Sequence, residues 1–259
     1  MRNPTRRNRS IGTSKQGHGQ DNKLVVPYPA VEMKPFYERL TEYKTVQRII
    51  NNHNFKFVIE QTRGNSFHAC TIEDIATILA QIPKQDYGDL ELIILRQPTR
   101  KEEILKPVWG RLIYSYEFEN DYFPAIVLEA MDLDNSFKWG KKLSIESQKE
   151  LERLREDGHK ITMGKRHFEA KYEVKNIRAT QLYRTLPHEF GHFTHYLNNV
   201  VNSSTEDEEY EAWEKRWDSY FNLPNSEKER FAHTYADKLK HKLEKEKIIP
   251  FERILDIKK

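Results

Sequence analysis

The run Leu186–His195 reads LPHEFGHFTH and holds His188, Glu189 and His192 within five residues. On a helix, side chains four apart share one face, with Cβ atoms about 5–6 Å apart. Two imidazoles so placed can hold one zinc ion at about 2.0–2.1 Å. Glu189, beside the first imidazole, projects toward the metal's open position and can take a proton from water there. The alternative is two ordinary histidines on an amphipathic helix. Against it, Phe193, Tyr196, Leu197 and Val200 continue the segment as an apolar stripe able to face a core. Gly191 lacks a Cβ, which leaves room for close approach of backbone or substrate. Pro187 either begins this helix or kinks one started near Ala179.

A catalytic zinc site needs three protein ligands and an open fourth position. Downstream, the stretch Glu227–Ala236 (EKERFAHTYA) predicts a helix begun by Asn225 or Ser226 after Pro224. Phe231, Ala232, Tyr235, Ala236 and Leu239 give it an apolar face, and Glu229 flanks that face. A carboxylate at the edge of a buried stripe is costly unless it is paired or metal-bound. Glu229 is therefore the expected third ligand. His233, four residues on, faces the same way and is a rival ligand, a partner to the ligands, a transition-state donor or a plain surface histidine. His195 extends the motif to HExxHxxH, but it lies nearly a turn further along and reads as a satisfied or exposed histidine.

HEFGH followed downstream by a helix of the form E-x-F-A-x-x-Y resembles the gluzincin-type zinc metallopeptidases. The similarity is closest to the catalytic domain of anthrax-lethal-factor-like proteins and extends to the ImmA/IrrE group, over about residues 178–240. That resemblance implies His188, His192 and Glu229 as zinc ligands, Glu189 as the base, and a peptide or protein substrate cleaved with narrow specificity. It also implies a tyrosine upstream of the third ligand that steadies the oxyanion. Tyr220 is the nearest position, with Tyr210 and Tyr235 competing. A rival reading is an inactive or regulatory zincin-like interaction protein. An intact Glu189 argues against it, because a purely structural zinc needs no base.

The elements that must position these groups run strands first, then helices. Lys34–Asn51 has a helical rhythm, with Phe36, Leu40, Tyr43, Val46 and Ile49–Ile50 spaced by three and four. Phe55–Gln61 alternates as a strand. Thr71 with Asp74 starts a helix in capping-box fashion, and Leu90–Arg96 is a strong strand. Arg111–Phe118, Pro124–Met131 and Ile161–Val174 follow as strands, the last broken by Gly164 and offering a sheet edge on which an extended peptide could dock. Ser144–Glu156 predicts a helix with Ser144 as N-cap and Gly158 as its stop. This order favours α+β over a doubly wound sheet. Together with the resemblance it predicts a zincin-like fold, with a twisted, mostly antiparallel sheet over the HExxH helix. The expected division is a basic arm at 1–24, a small α/β lobe at 25–97 and the metallopeptidase domain at 98–259.

Composition narrows the remaining classes. With 37% hydrophobic residues the chain can bury a core, and no stretch reaches the roughly 18 apolar residues of a membrane span. Cys70 is the sole cysteine, which excludes an internal disulfide and a thiolate metal cluster. It lies two residues after His68, a spacing that on a strand would pair thiol and imidazole, but a buried structural cysteine is the simpler reading. The absence of an apolar leader after Met1 makes cytoplasmic the expected location. Residues 1–23 carry Arg2, Arg6, Arg7, Arg9, Lys15 and Lys23 against Asp21 alone. This arm reads as a solvated tail whose charge would also permit contact with nucleic acid.

Overall fold

Asn51 and Asn52 have φ values of 52° and 59° and fold Tyr43–Ile50 (β1) back onto His53–Glu60 (β2). A two-residue hairpin of this type needs positive φ at both central positions, which asparagine tolerates better than most residues. The helix expected over 34–51 is thus corrected. After a short 3-10 turn at Phe36–Glu38, the chain is a strand. Val46, Arg48 and Ile50 turn inward, while Gln47 and Ile49 are exposed. The apolar spacing by three and four was compatible with either structure, and the Asn-Asn turn decided for the strand.

The computed structural model describes residues 35–105, 107–203 and 208–255. Its strands continue as Ser66–Phe67 (β3), Leu92–Arg96 (β4), Gly110–Phe118 (β5), Asp121–Glu129 (β6), Met131–Asp132 (β7), Ser136–Gly140 (β8), Ile161–Met163 (β9) and His167–Lys171 (β10). The helices are Ile72–Leu79 (α1), Arg100–Leu105 (α2), Ile145–Glu156 (α3), Val174–Thr180 (α4), Leu186–Tyr196 (α5), Tyr210–Phe221 (α6) and Asn225–Lys245 (α7). The class is α+β, as expected. The described residues from Tyr37 onward form one compact unit. None of the described helices is long and apolar enough to cross a membrane. The basic arm at 1–24 lies outside the described residues.

The main sheet has the order β1-β2-β4-β6-β5. Its outer pairs, β1–β2 and β5–β6, are antiparallel, whereas β2–β4 and β4–β6 are parallel. The sheet is therefore mixed rather than mostly antiparallel. β4 reaches its neighbours through crossovers, and crossovers make parallel pairs. The β4–β6 pairing also carries the sheet straight across the anticipated boundary at 97/98. Central β4 is buried along its whole length, so it reads as a continuous apolar run.

One face of the sheet packs on helices. Phe55, Phe57, Ile93, Leu95, Ile126 and Leu128 meet Ile75 and Ile78 of α1 and Phe190 and Phe193 of α5 in one core. The predicted capping box holds α1. The Thr71 hydroxyl accepts from the Asp74 N–H at 3.0 Å, and Asp74 accepts from the Thr71 N–H at 3.1 Å. Asp74 does more than cap. Fully buried, it accepts from Nε and Nη2 of Arg178 on α4, each at 2.8 Å, and from the Ile254 N–H at 2.9 Å. That knot ties α1, α4 and the C-terminal segment together.

The stretch over 161–174 breaks at Gly164, as expected, into two short strands, β9 and β10, and ends earlier than expected, with α4 starting at Val174. With β8 they form a separate three-stranded sheet in the order β8-β10-β9. The edge that lies over the candidate site is β5, not this segment.

Candidate metal and proton-transfer site

The helix carrying HEFGH begins well before the motif. From Val174 to Val201 the chain runs without a break through α4, a π-helical turn at Gln181–Thr185, α5 and a second π-helical turn at Leu197–Val201. Pro187 sits just after the first π turn. A proline inside a helix removes a donor and crowds the carbonyl four residues back, and a widened turn there relieves both. Pro187 is thus interior to a helix that started earlier.

Along α5, His188 and His192 lie one turn apart with their Nε2 atoms 3.1 Å from each other. Glu229 comes from α7. Its Oε2 is 3.3 Å from His188 Nε2 and its Oε1 is 3.5 Å from His192 Nε2. A tetrahedral ion with ligand bonds of about 2.0–2.1 Å needs ligand–ligand edges of about 3.3–3.4 Å. The His188–His192 distance and the shortest distance from each imidazole to the carboxylate fall around that value, the two Glu229 contacts being made by different oxygens. A donor set of two imidazoles and one carboxylate suits zinc. The two imidazoles hold the Glu229 carboxyl below its ordinary range. His188 Nδ1 is buried without a hydrogen-bond partner.

α5 and α7 come together this closely because of Gly191. A Cβ built there would lie 2.8 Å from Ala232 Cα and 2.9 Å from Ala232 O. Both are backbone atoms of α7 and cannot swing aside. We expect Gly191→Ala to push α7 off and cost about 1–3 kcal/mol, as overpacking usually does. It should also weaken metal retention, because Glu229 rides on the displaced helix. Thermal denaturation and a zinc titration would measure both effects, and an unshifted Tm would contradict this account of the glycine.

Glu189 is nearly buried, between the triad and the sheet. Its Oε2 accepts the Leu112 N–H of β5 at 2.7 Å. β5 is an edge strand, and this N–H turns away from β6 toward the open side. Burial raises the Glu189 carboxyl above its usual range, with His188, His192 and the Leu112 N–H opposing that shift. Gln181 fixes the strand relative to the helix. Its side-chain amide donates to Trp109 O at 2.9 Å and Glu129 O at 2.8 Å.

The site opens into two clefts. The larger, about 970 Å³, has His188, Glu189 and Glu229 beside Trp109, Phe137, Trp139, Arg153 and His233. The smaller, about 330 Å³, continues past His192 to Arg111, Tyr114 and Phe221. Phe137 and Trp139 alternate on β8 and stack at 5.5 Å, with Phe137 against Trp109 at 4.8 Å. The SFKWG alternation contained this aromatic wall, but nothing local linked it to HEFGH. The same holds for Leu112, Gln181 and Arg153.

The secondary candidates separate. His233 is in the site, with its ring 4.4 Å from that of His188 and its Nε2 3.8 Å from Glu229 Oε2. Burial, together with His188 and Arg153, lowers its pKa to about 4. Tyr220 is buried behind α5, its hydroxyl 3.3 Å from His192 O and 3.2 Å from the Tyr114 hydroxyl. The Tyr235 hydroxyl donates to Asp86 at 2.8 Å, away from the triad, and Tyr210 is exposed on α6. His195 is buried and stacks on Phe231 at 4.4 Å, so it is not exposed. Trp213 and Trp217 lie tilted beside each other along α6 at 6.4 Å, and Trp217 reaches Phe221 at 4.3 Å. Cys70 is buried with its thiol toward Gln181 at 3.6 Å, while His68 bonds Glu60 O, so no thiol–imidazole pair forms.

No protein-family profile matches the chain, and no curated protein or solved structure does either.

Proposed function

We propose that the chain is a zinc-dependent peptidase of narrow specificity with a zincin-like fold. In this reading His188, His192 and Glu229 hold the metal, and Glu189 is the general base. The observation that carries it is the convergence of His188, His192 and Glu229, with ligand atoms within 4.8 Å of one another and the Glu189 carboxylate beside them. Zinc held there supplies Lewis acidity, which acidifies water and polarises a carbonyl oxygen.

The chain's own residues do the rest. The Leu112 N–H steadies Glu189 Oε2, which leaves Oε1 to receive the proton of the attacking water. Glu189 then returns that proton to the amine nitrogen as the carbon–nitrogen bond breaks. The open edge of β5 offers backbone groups with which an extended peptide can pair. Trp109, Phe137 and Trp139 give the larger cleft an apolar wall that favours a large apolar side chain.

The test is a peptide library incubated with the zinc-loaded chain and read by mass spectrometry. We expect a few cleavage sites, abolished by a chelator and restored by added zinc. A zinc-loaded chain that cleaves none of the peptides would overturn the peptidase reading and favour an interaction protein that keeps its metal.

A further inference from the structure

Peptide hydrolysis through a tetrahedral intermediate places negative charge on the former carbonyl oxygen, and donors aimed at that oxygen lower the barrier. The tyrosines that could serve are otherwise engaged. Tyr235 donates to Asp86. Tyr220 directs its hydroxyl at His192 O, so the Tyr114 hydroxyl donates to Tyr220. Arg153 differs. It projects from α3 into the larger cleft beside His188, Glu189 and Glu229. Its Nη1 lies 3.3 Å from His233 Nε2, and this is its only side-chain hydrogen bond among the described residues. By contrast, Arg184 in the same cleft is held by Glu150 and Asp157. A guanidinium carries five donors and no acceptor, so Arg153 donates to His233 and keeps the others for the cleft. Leu151 and Leu154, both buried, anchor α3 on either side of it.

We infer that Arg153 binds the developing oxyanion and that His233 is its positioning residue. The inference rests on the peptidase reading above. Water's oxygen bonds to the carbonyl carbon as Glu189 takes its proton. The carbonyl π pair moves onto oxygen, and Arg153 meets that charge with an N–H hydrogen bond without giving up a proton. When the pair returns, the carbon–nitrogen bond breaks and the amine leaves with the proton from Glu189.

The experiment compares wild type with Arg153→Ala and Arg153→Lys, all loaded with zinc, on a peptide the wild type cleaves. It adds calorimetric binding of the same peptide with a phosphonate in place of the scissile bond, a stable mimic of the tetrahedral anion. Arg153→Ala should lower kcat by about 10²–10³-fold, the usual cost of losing one oxyanion donor. KM should change little, and phosphonate affinity should fall by a comparable factor. Arg153→Lys should recover part of both losses, while Tm and zinc content stay at wild-type values. Unchanged kcat and phosphonate binding in Arg153→Ala would overturn the inference and leave the peptidase reading standing. A fall in Tm or zinc content that accounts for the lost activity would also overturn it. A wild type that holds no zinc or cleaves nothing removes the reading and this inference together.

Discussion

Glu189→Gln should retain zinc at the wild-type level and lose about 10²–10⁴ in kcat, the range general acid–base catalysis contributes. Glutamine keeps the shape and can still accept the Leu112 N–H through its amide oxygen, so β5 and α5 should stay in place. It cannot take a proton from water. Glu189 also stands apart from the three ligands, so its loss leaves His188, His192 and Glu229 untouched. Single-turnover cleavage beside a zinc measurement separates the two properties. Retained turnover would remove Glu189 from the base role, and lost zinc would show that it supports the metal.

The second large effect lies away from the cleft. Asp74→Ala should destabilise the fold by about 3–5 kcal/mol, the usual cost of removing one partner of a buried ion pair. It strands Arg178 beneath the C-terminal segment and leaves the Ile254 N–H without its acceptor. Burial by itself raises the Asp74 carboxyl, but Arg178 and the Ile254 and Thr71 N–H groups outweigh it and hold the carboxyl below its ordinary value. Because the folded pKa is depressed, the stabilisation is complete above the unfolded value of about 3.9. It is lost as pH falls through the lower folded value. Urea titrations across pH 2–6 should therefore show wild-type stability falling below about pH 4, with Asp74→Asn less pH-dependent there. Parallel curves for the two proteins would contradict this role.

Much of the site was legible because its signals are local. His188, Glu189 and His192 share one helical turn, and Glu229 flanks the apolar stripe of α7. Helical periodicity thus put the histidines on one face and Glu229 at the edge of another, and the structure brings the two together. The capping box at Thr71 and the N-cap at Ser144 were equally readable, since the partners lie three residues apart. Groups joined only by tertiary structure were not. Leu112 reaches Glu189, and Gln181 reaches Trp109 and Glu129, across long stretches of chain. β1 was misread because its apolar spacing fits two periods, and only the Asn51–Asn52 turn separates them. The parallel pairs of β4 depend on crossovers, and its apolar run Leu92–Leu95 marks a buried strand without giving the direction of its neighbours.

The central claim is that His188, His192 and Glu229 together bind one metal ion. The direct measurement is zinc content by plasma mass spectrometry, on tag-free protein, for wild type, Glu229→Ala and His233→Ala. The account predicts about one zinc per wild-type chain, lost in Glu229→Ala and kept in His233→Ala, since His233 lies beside the triad and not in it. A wild type without zinc after zinc is supplied and excess removed, or a Glu229→Ala variant that keeps full occupancy, would contradict it.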